Sequence, residues 1–364
     1  VSPSCPSTRL HRVPAAAPDD VSGLEHLVAS GALDPAGILA ILGKTEGNGC
    51  VNDFTRGFAT RALADFLAGH VGRERAAGVV LVMSGGTEGA LGPHWLVFER
   101  VGDGEGPAYP DGSLAIGTAV TRDLLPEEIG RGAQMEVVRA GVGEAMAAAG
   151  IAGAEDVHFV QIKCPLLTSA RIAEAAARGE SCAVSDTLKS MGLSRGASAL
   201  GIALALGELD AADVPDSAIG RDMTLFSGRA STSAGIELMG HEILVLGMSR
   251  NWRGPLAVAH AVMRDAIDAA AVHACLDGLG VPAGARFEAL LAKAEASRTG
   301  LVRGVRHTMN DDSDISATRH ARAFVGGVLA GLTGTTELFV SGGAEHQGPD
   351  GGGPVAVIAR RTAP

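Results

Sequence analysis

Aromatic side chains are scarce in this sequence. They make up 3% of its 364 residues, and Tyr109 is the single tyrosine. A platform that stacks bases needs aromatic faces in quantity, so the chain is not built as one. Dense basic runs are missing too: 30 Lys and Arg stand against 41 Asp and Glu, a net charge of −11. Nucleic acid is therefore not an expected partner, because neutralising phosphates takes clustered cations. Cysteine is limited to Cys5, Cys50, Cys164, Cys182 and Cys275, an odd number with no Cys-x-x-Cys. That argues against a disulfide framework and against a zinc site. The eleven histidines include no H-x-x-x-H or H-E-x-x-H pair, which leaves catalytic zinc without its usual ligands. No run approaches the ~18 apolar residues of a membrane span, and residues 1–18 hold no apolar signal core. The expectation is a soluble cytoplasmic protein without membrane contact.

What is abundant is small. Glycine alone contributes 51 residues, and apolar residues reach 46%, a composition that lets backbone approach a ligand closely. At this length two or three domains are expected. Two Gly/Pro-rich breaks, Gly102–Ser113 and Ser249–Pro255, divide the chain into units 1–104, 112–250 and 255–364. After each break comes a similar strand, LAIGTAVTRD at 114–123 and LAVAHAVMRD at 256–265, identical at six of ten positions. The first unit has only a faint counterpart at Leu10–Pro14. Each unit then reads as strand, helix, strand, helix, strand, strand. The predicted fold class is α/β, with three similar repeats around a pseudo-threefold axis and a central active site.

Three groups recur in the same order in every unit: Lys44, Arg56, Ser84; Lys163, Arg195, Ser233; Lys293, Arg319, Ser341. Each serine opens a short motif, SGGTE at 84–88, SAGIE at 233–237 and SGGAE at 341–345. The lysines are placed at the ends of strands Gly37–Lys44, Val157–Lys163 and Leu290–Lys293, although the last could equally end a helix. The arginines are placed in the first turns of helices 55–69, 194–207 and 316–331, with Asp53, Ser194 and Ser316 as caps.

Taken singly, each lysine reads as an ordinary solvated or ion-paired side chain, and Ser-Gly-Gly as a turn. Repetition in phase is what carries weight, since surface residues have no reason to keep step with a structural repeat. A site of three amines, three guanidinium groups and three hydroxyls fits a small, planar, threefold ligand. Gly43-Lys44-Thr45 does not extend to a phosphate loop, because position 38 is Ile rather than Gly. The stretch 342–354, GGAEHQGPDGGGP, could expose several carbonyls to a hard cation or simply form a tight surface loop.

A serine needs a base to become a nucleophile, and lysine serves only when burial and nearby positive charge hold it neutral. Glu46 and Glu295 follow Lys44 and Lys293 by two residues, on the same face of an extended chain, where each would keep its lysine protonated. Lys163 is followed by Cys164 and Pro165 instead. The expectation is that Lys163 is the base and Ser233 the nucleophile, with Lys44 and Lys293 in support. Ser84, Ser341 and the backbone N–H groups of Gly85 and Gly342 would then hold ring carbonyls.

The motifs GKTEGNGCVNDFTR (43–56), VMSGGTEG (82–89), KCPLLT (163–168), SMGLSRGASALGIA (190–203), SAGIEL (233–238), KAEAS (293–297), DDSDISATRHAR (311–322) and SGGAEHQGPDGGGP (341–354) together resemble the cyanuric acid amidohydrolase and barbiturase family. The resemblance spans nearly the whole chain after residue 18. It implies a threefold repeat fold and hydrolytic opening of the triazine ring of cyanuric acid to carboxybiuret, then biuret and CO₂. It implies a Ser–Lys dyad from the second unit, in agreement with Lys163 and Ser233. Arg56, Arg195 and Arg319, with Ser84–Gly85, Ser233–Ala234 and Ser341–Gly342, would bind the ring. A structural divalent cation, Mg²⁺ or Ca²⁺, is implied at Glu295, Ala344, Gln347, Gly348, Pro349 and Gly352, with no organic cofactor, and homotetramers are usual. Intact threefold clamps favour cyanuric acid over barbituric acid, whose opening to ureidomalonate is the alternative within the family. A cage that binds a cyclic imide without opening it is the alternative outside it.

Overall fold

The computed structural model describes residues 5–102, 106–281 and 287–361. Part of the first expected break (103–105) and the outer limits of the first and last units lie outside the described residues. The first sheet is built from β1 (Ser7–Pro14), β2 (Ile38–Thr45), β3 (Val80–Gly85) and β4 (His94–Val101), with α1 (Ser22–Ala29), α2 (Phe54–Val71) and α3 (Arg73–Ala76). The second has β5 (Ser113–Val120), β6 (Val157–Pro165), β7 (Ala230–Gly235) and β8 (Glu242–Ser249), with α4 (Gly132–Ala149), α5 (Ser169–Ala177) and α6 (Thr187–Ala205). The third has β9 (Leu256–Met263) and β10 (Phe287–Ala294), then a small hairpin β11 (Leu301–Val302) and β12 (Val305–Arg306), then β13 (Phe339–Gly342) and β14 (Gly353–Arg360). Its helices are α7 (Ala269–Gly278) and α8 (Ala317–Thr333).

All three four-stranded sheets share one topology. In chain order the strands lie first–fourth–second–third, and only the second and third run parallel. The parallel pair needs a crossover, and α2, α6 and α8, which carry the conserved-phase arginines of the repeat, supply it. β1 completes the first sheet by pairing with β4. The faint sequence counterpart at Leu10–Pro14 is therefore a full edge strand.

The sheets turn one face inward to a shared core that holds Leu42, Phe98, Ile116, Phe159, Leu256 and Phe339. Their outer faces meet helices: Leu63 and Leu67 of α2 pack on Ile41 and Val97, and Val325 and Leu329 of α8 on Leu290 and Val357. Strand alternation follows from this layering. Ala40 and Leu42 face the shared core, so Lys44 continues the inward face; Ala289 and Leu291 do the same for Lys293. Leu290–Lys293, ambiguous in the sequence, is the end of strand β10.

One helix start differs from expectation. Ser194 does not cap the second arginine helix, because α6 begins at Thr187, where the Asp186 carboxylate accepts the Lys189 N–H at 2.9 Å. Ser194 lies mid-helix, fully buried, and accepts a hydrogen bond from Gln134 Nε2. Asp53 does cap α2, accepting from Thr55 N at 3.1 Å. Ser316 stands at the N-cap of α8 without a side-chain bond.

Candidate active site

Parallel pairing of the second and third strand of each sheet sets Lys44 opposite Ser84, Lys163 opposite Ser233 and Lys293 opposite Ser341. All three lysines are at most 1% exposed. An ammonium in such a place must be met by acceptors or give up its proton. Each Nζ reaches across to the neighbouring sheet. Lys44 donates to Val340 O (2.8 Å), Lys163 to Met83 O (2.7 Å) and Lys293 to Thr232 O (2.9 Å). Each of these carbonyls belongs to the residue just before a site serine, so the three lysines form a closed cycle.

Within units the pairs are not alike. Lys44 Nζ lies 3.3 Å from Ser84 Oγ, and Lys293 Nζ lies 3.2 Å from Ser341 Oγ. Lys163 makes no such bond to Ser233. Its Nζ is 2.7 Å from Glu237 Oε1, while Ser233 Oγ is hydrogen-bonded to Ser341 Oγ at 3.0 Å.

This overturns the elimination that singled out Lys163 as the lysine without an acid. Glu46 lies beyond the end of β2 and is exposed. Glu295 accepts from the N–H groups of Ala296 and Ala344 and forms no ion pair with Lys293. The +2 spacing places a carboxylate on the same face only while the chain stays extended, and both strands end first. Burial lowers the pKa of all three lysines. Lys44 falls well below its ordinary range, with Arg322 adding to the effect. Lys293 falls to about 7, with Arg195 adding. Lys163 also falls through burial, with Glu237 opposing the shift and Arg56 adding to it, as Glu88 opposes it at Lys44 and Glu345 at Lys293.

The guanidinium groups form a second cycle. Arg56 Nη1 donates to Ala234 O at 2.9 Å. Arg195 grips Glu345 with two bonds, at 2.8 and 2.7 Å. The third station is filled by Arg322, not Arg319. Arg322 is 3% exposed, donates two 2.6 Å bonds to Glu88 and lines the central cavity. Arg319 is 40% exposed at its side chain, shares Glu88 from outside at 3.0 Å and lines only the mouth. Arg319 is the third residue of α8, as Arg56 is of α2. α8 enters differently, however, and its inward face comes one turn later.

Arg56, Arg195, Arg322, the three serines, Gly85, Ala234 and Gly342 thus converge on one central cavity, joined by Gly49 and Met191. Its free volume is about 20 Å³, room for about one water, so side chains must part to admit a ring. A mouth of about 610 Å³ opens onto it through the shared residues Gly49, Met191, Arg195 and Arg322. Two glycines are required by this close packing. Gly86 (φ +107°) and Gly343 (φ +77°) are left-handed, and a Cβ there would stand 2.2 Å from Arg322 Nη2 and 2.6 Å from the Arg195 guanidinium carbon.

Arg322 and the three glutamates Glu88, Glu237 and Glu345 are not among the residues expected from the sequence. The glutamates were visible as the fifth residue of every serine motif, and their constancy was the available signal.

Of the residues implied for a cation, Glu295, Ala344, Gly348 and Pro349 line one cavity of about 430 Å³. Gln347 is fully buried, with its amide spent on Thr232 N, Gly343 O and Glu345 O, so its side chain braces the loop. Neither Gln347 nor Gly352 lines that cavity. Glu295 is a part-buried carboxylate without an ion-pair partner among the described residues, and burial and Glu345 raise its pKa. One such carboxylate facing a carbonyl-rich loop suits a hard cation. Among the described residues no cluster of three or more His, Cys, Asp or Glu is placed to hold a metal, and no helix is long and apolar enough to cross a membrane.

Residues 9–360 match the family of ring-opening amidohydrolases. The chain belongs to this family. It is 63% identical to a cyanuric acid amidohydrolase of Azorhizobium caulinodans, over 98% of this chain and 99% of the relative. It is 60% identical to one of Bradyrhizobium, over 97% and 98%. The crystal structure of the cyanuric acid hydrolase of A. caulinodans superposes with a TM-score of 0.93 at 62% identity, covering 98% of this chain and all of that one. A second cyanuric acid hydrolase, described as an innovation by structural concatenation, gives the same TM-score at 51% identity. The ring-opening amidohydrolases are hydrolases, and so is this protein; its three like sheets agree with a concatenated fold.

Proposed function

We propose that the protein hydrolyses cyanuric acid, opening its triazine ring to carboxybiuret, which loses CO₂ to give biuret. The observation that carries this reading is the threefold cage: three serines, three arginines and three buried lysines arranged about one small cavity, as a ring with three equivalent carbonyls requires. The names of the relatives support the same substrate.

In the proposed mechanism Lys163, as the neutral amine, takes the proton of Ser233 Oγ. The oxygen bonds to a ring carbonyl carbon, and the carbonyl electron pair moves onto its oxygen. Arg56, Arg195 and Arg322, with Ser84 and Ser341, hold the three ring oxygens, including the one that gains charge. Collapse of the adduct breaks the ring C–N bond, and the Lys163 ammonium protonates the departing nitrogen. Water, deprotonated by Lys163, then attacks the acyl carbon, and the Lys163 ammonium returns the proton to Ser233 Oγ as the C–Oγ bond breaks. The second unit is chosen because its lysine alone faces a carboxylate rather than its own serine. The Ser233–Ser341 bond must yield when the ring enters, and catalytic contacts commonly tighten only on binding. Units 1–104, 112–250 and 255–364 are proposed as the three repeats.

A divalent cation held by Glu295 and the loop of Ala344, Gln347, Gly348, Pro349 and Gly352 would fix the loop that carries Glu345 and so orient Arg195. A homotetramer is part of the same reading and is checked by sedimentation. The function is tested by offering equimolar cyanuric and barbituric acids and following loss of each ring. Loss of cyanuric acid alone is expected. Loss of barbituric acid alone, or of neither, contradicts the proposal.

A further inference from the structure

The three serine motifs end in glutamates whose surroundings differ. Glu88 is held by Arg322 and Glu345 by Arg195, each through two bonds from the neighbouring unit. By that cycle Glu237 should be held by Arg56. It is not. Arg56 instead donates to the carbonyls of Ala234 and Cys50. Glu237 folds back over its own motif, so that a Cβ at Gly235 would stand 2.1 Å from its Oε2, where the matching positions Gly86 and Gly343 face arginines. Its carboxylate lies 2.7 Å from Lys163 Nζ, and among the described residues that is its one ion pair. The backbone on both sides is pinned, because Arg171 on α5 donates to Ile236 O (3.0 Å) and Leu238 O (3.2 Å). The symmetry of the cage is broken at one place, and a carboxylate on the lysine is what breaks it.

We infer that Glu237 is a positioning residue for the reaction, holding Lys163 in place and stabilising the ammonium that forms when Lys163 takes the Ser233 proton. This rests on the Ser–Lys reading. Glu237 stays a carboxylate throughout; the proton passes from Ser233 to Lys163 and on to the ring nitrogen. The charged and titratable groups around the pair are Arg56 on α2, Arg171 on α5, Glu242 at the start of β8 and Cys164 beside Lys163. Lys163 and Arg56 hold the Glu237 carboxyl below its ordinary pKa against the penalty of burial. Glu237 in turn keeps Lys163 from falling as far as burial alone would take it. A base whose conjugate acid is too weakly held is a poor proton acceptor, and for Lys163 a carboxylate in direct contact corrects that.

The test compares Glu237→Gln, Glu88→Gln and Glu345→Gln on cyanuric acid across pH. For Glu237→Gln, kcat is expected to fall about 10²-fold with KM within about threefold. The acidic limb of kcat should move down by about 1–3 pH units, because loss of the negative charge lowers the pKa of Lys163. Glu88→Gln and Glu345→Gln loosen arginines that bind the ring, so they should raise KM and leave that limb in place. A Glu237→Gln variant that is folded and keeps the wild-type limb overturns the inference. If the Gln variant does not fold, Glu237→Asp carries the test. It should keep the limb and lose less than about tenfold in kcat; a folded Asp variant as inactive as Lys163→Ala contradicts the inference. Lys163→Ala and Ser233→Ala in the same assay separate the two failures. If either turns over normally the dyad itself is wrong. If both are dead while the Glu237 variants behave as wild type, only the role of Glu237 falls.

Discussion

Lys44, Lys163 and Lys293 each put an amine where water does not reach, and three guanidinium groups stand close by. The lysines can be tolerated only by shedding charge or by meeting a fixed acceptor, and the structure uses both. The arginines cannot shed theirs, so each is met by a carboxylate or a carbonyl. Arg322 and Arg319 make the clearest contrast at this scale, since both touch Glu88 and only one lines the cavity. Arg322→Gln is expected to lower kcat/KM for cyanuric acid by about 10–100-fold, the worth of one charged hydrogen bond. Arg319→Gln should change it by less than about threefold. The reverse ranking in steady-state assays would restore Arg319 to the site. Both arginines stand in the sequence three residues apart, and phase counted from the helix start points to Arg319 because such a count is only as good as the start. The serines and lysines were legible for the opposite reason: they end strands, where alternation leaves no freedom.

At the scale of elements, parallel pairing of the second and third strands does most of the assembly. It lays each lysine beside a serine without any loop having to carry the geometry. Neighbouring sheets are joined by side chains that finish each other's edges. Glu242, at the start of β8, accepts the Leu81 N–H of edge strand β3 at 2.8 Å. Burial raises its pKa to about 7, against the pull of that N–H and of Lys163. A carboxyl whose pKa is higher folded than unfolded contributes stability below its unfolded pKa and loses it as pH rises through the folded value. Between about pH 4.5 and 7 the wild type should therefore lose on the order of 3 kcal/mol from this group. Glu242→Gln keeps the bond and removes this titration, so its Tm relative to wild type should rise as pH goes from about 4.5 to 7. A Tm difference that stays constant across that window would show that Glu242 does not titrate in this way. None of this contact was legible in the sequence, because it joins residues 161 apart through one backbone donor. The strands themselves were legible, with the start of α6 the main error, since Asp186 was not recognised as its cap.

The whole molecule is three sheets of one topology that share a core and point their lysines, arginines and serines at one axis. Two cycles run between them in opposite senses, lysine to the carbonyl before the preceding unit's serine and arginine to the following unit's motif, so no unit completes the central cavity alone. The repeat was legible because LAIGTAVTRD and LAVAHAVMRD share six positions, and the family because its motifs fall in every unit. The break in symmetry at Glu237 was hidden, since SAGIE looks like its two counterparts until the side chain is placed. The proposed cation belongs to this scale as well. Chelation, or Glu295→Gln, is expected to lower Tm by several degrees while leaving Ser233 chemistry in the protein that stays folded. Complete loss of activity with Tm unchanged would make the cation catalytic and the dyad wrong. The most direct test of the whole account is turnover of cyanuric acid by Ser84→Ala, Ser233→Ala and Ser341→Ala side by side. Ser233→Ala alone is expected to have no measurable turnover, while the other two are slowed by about 10²–10³-fold. Turnover by Ser233→Ala at the rate of its two counterparts would contradict it.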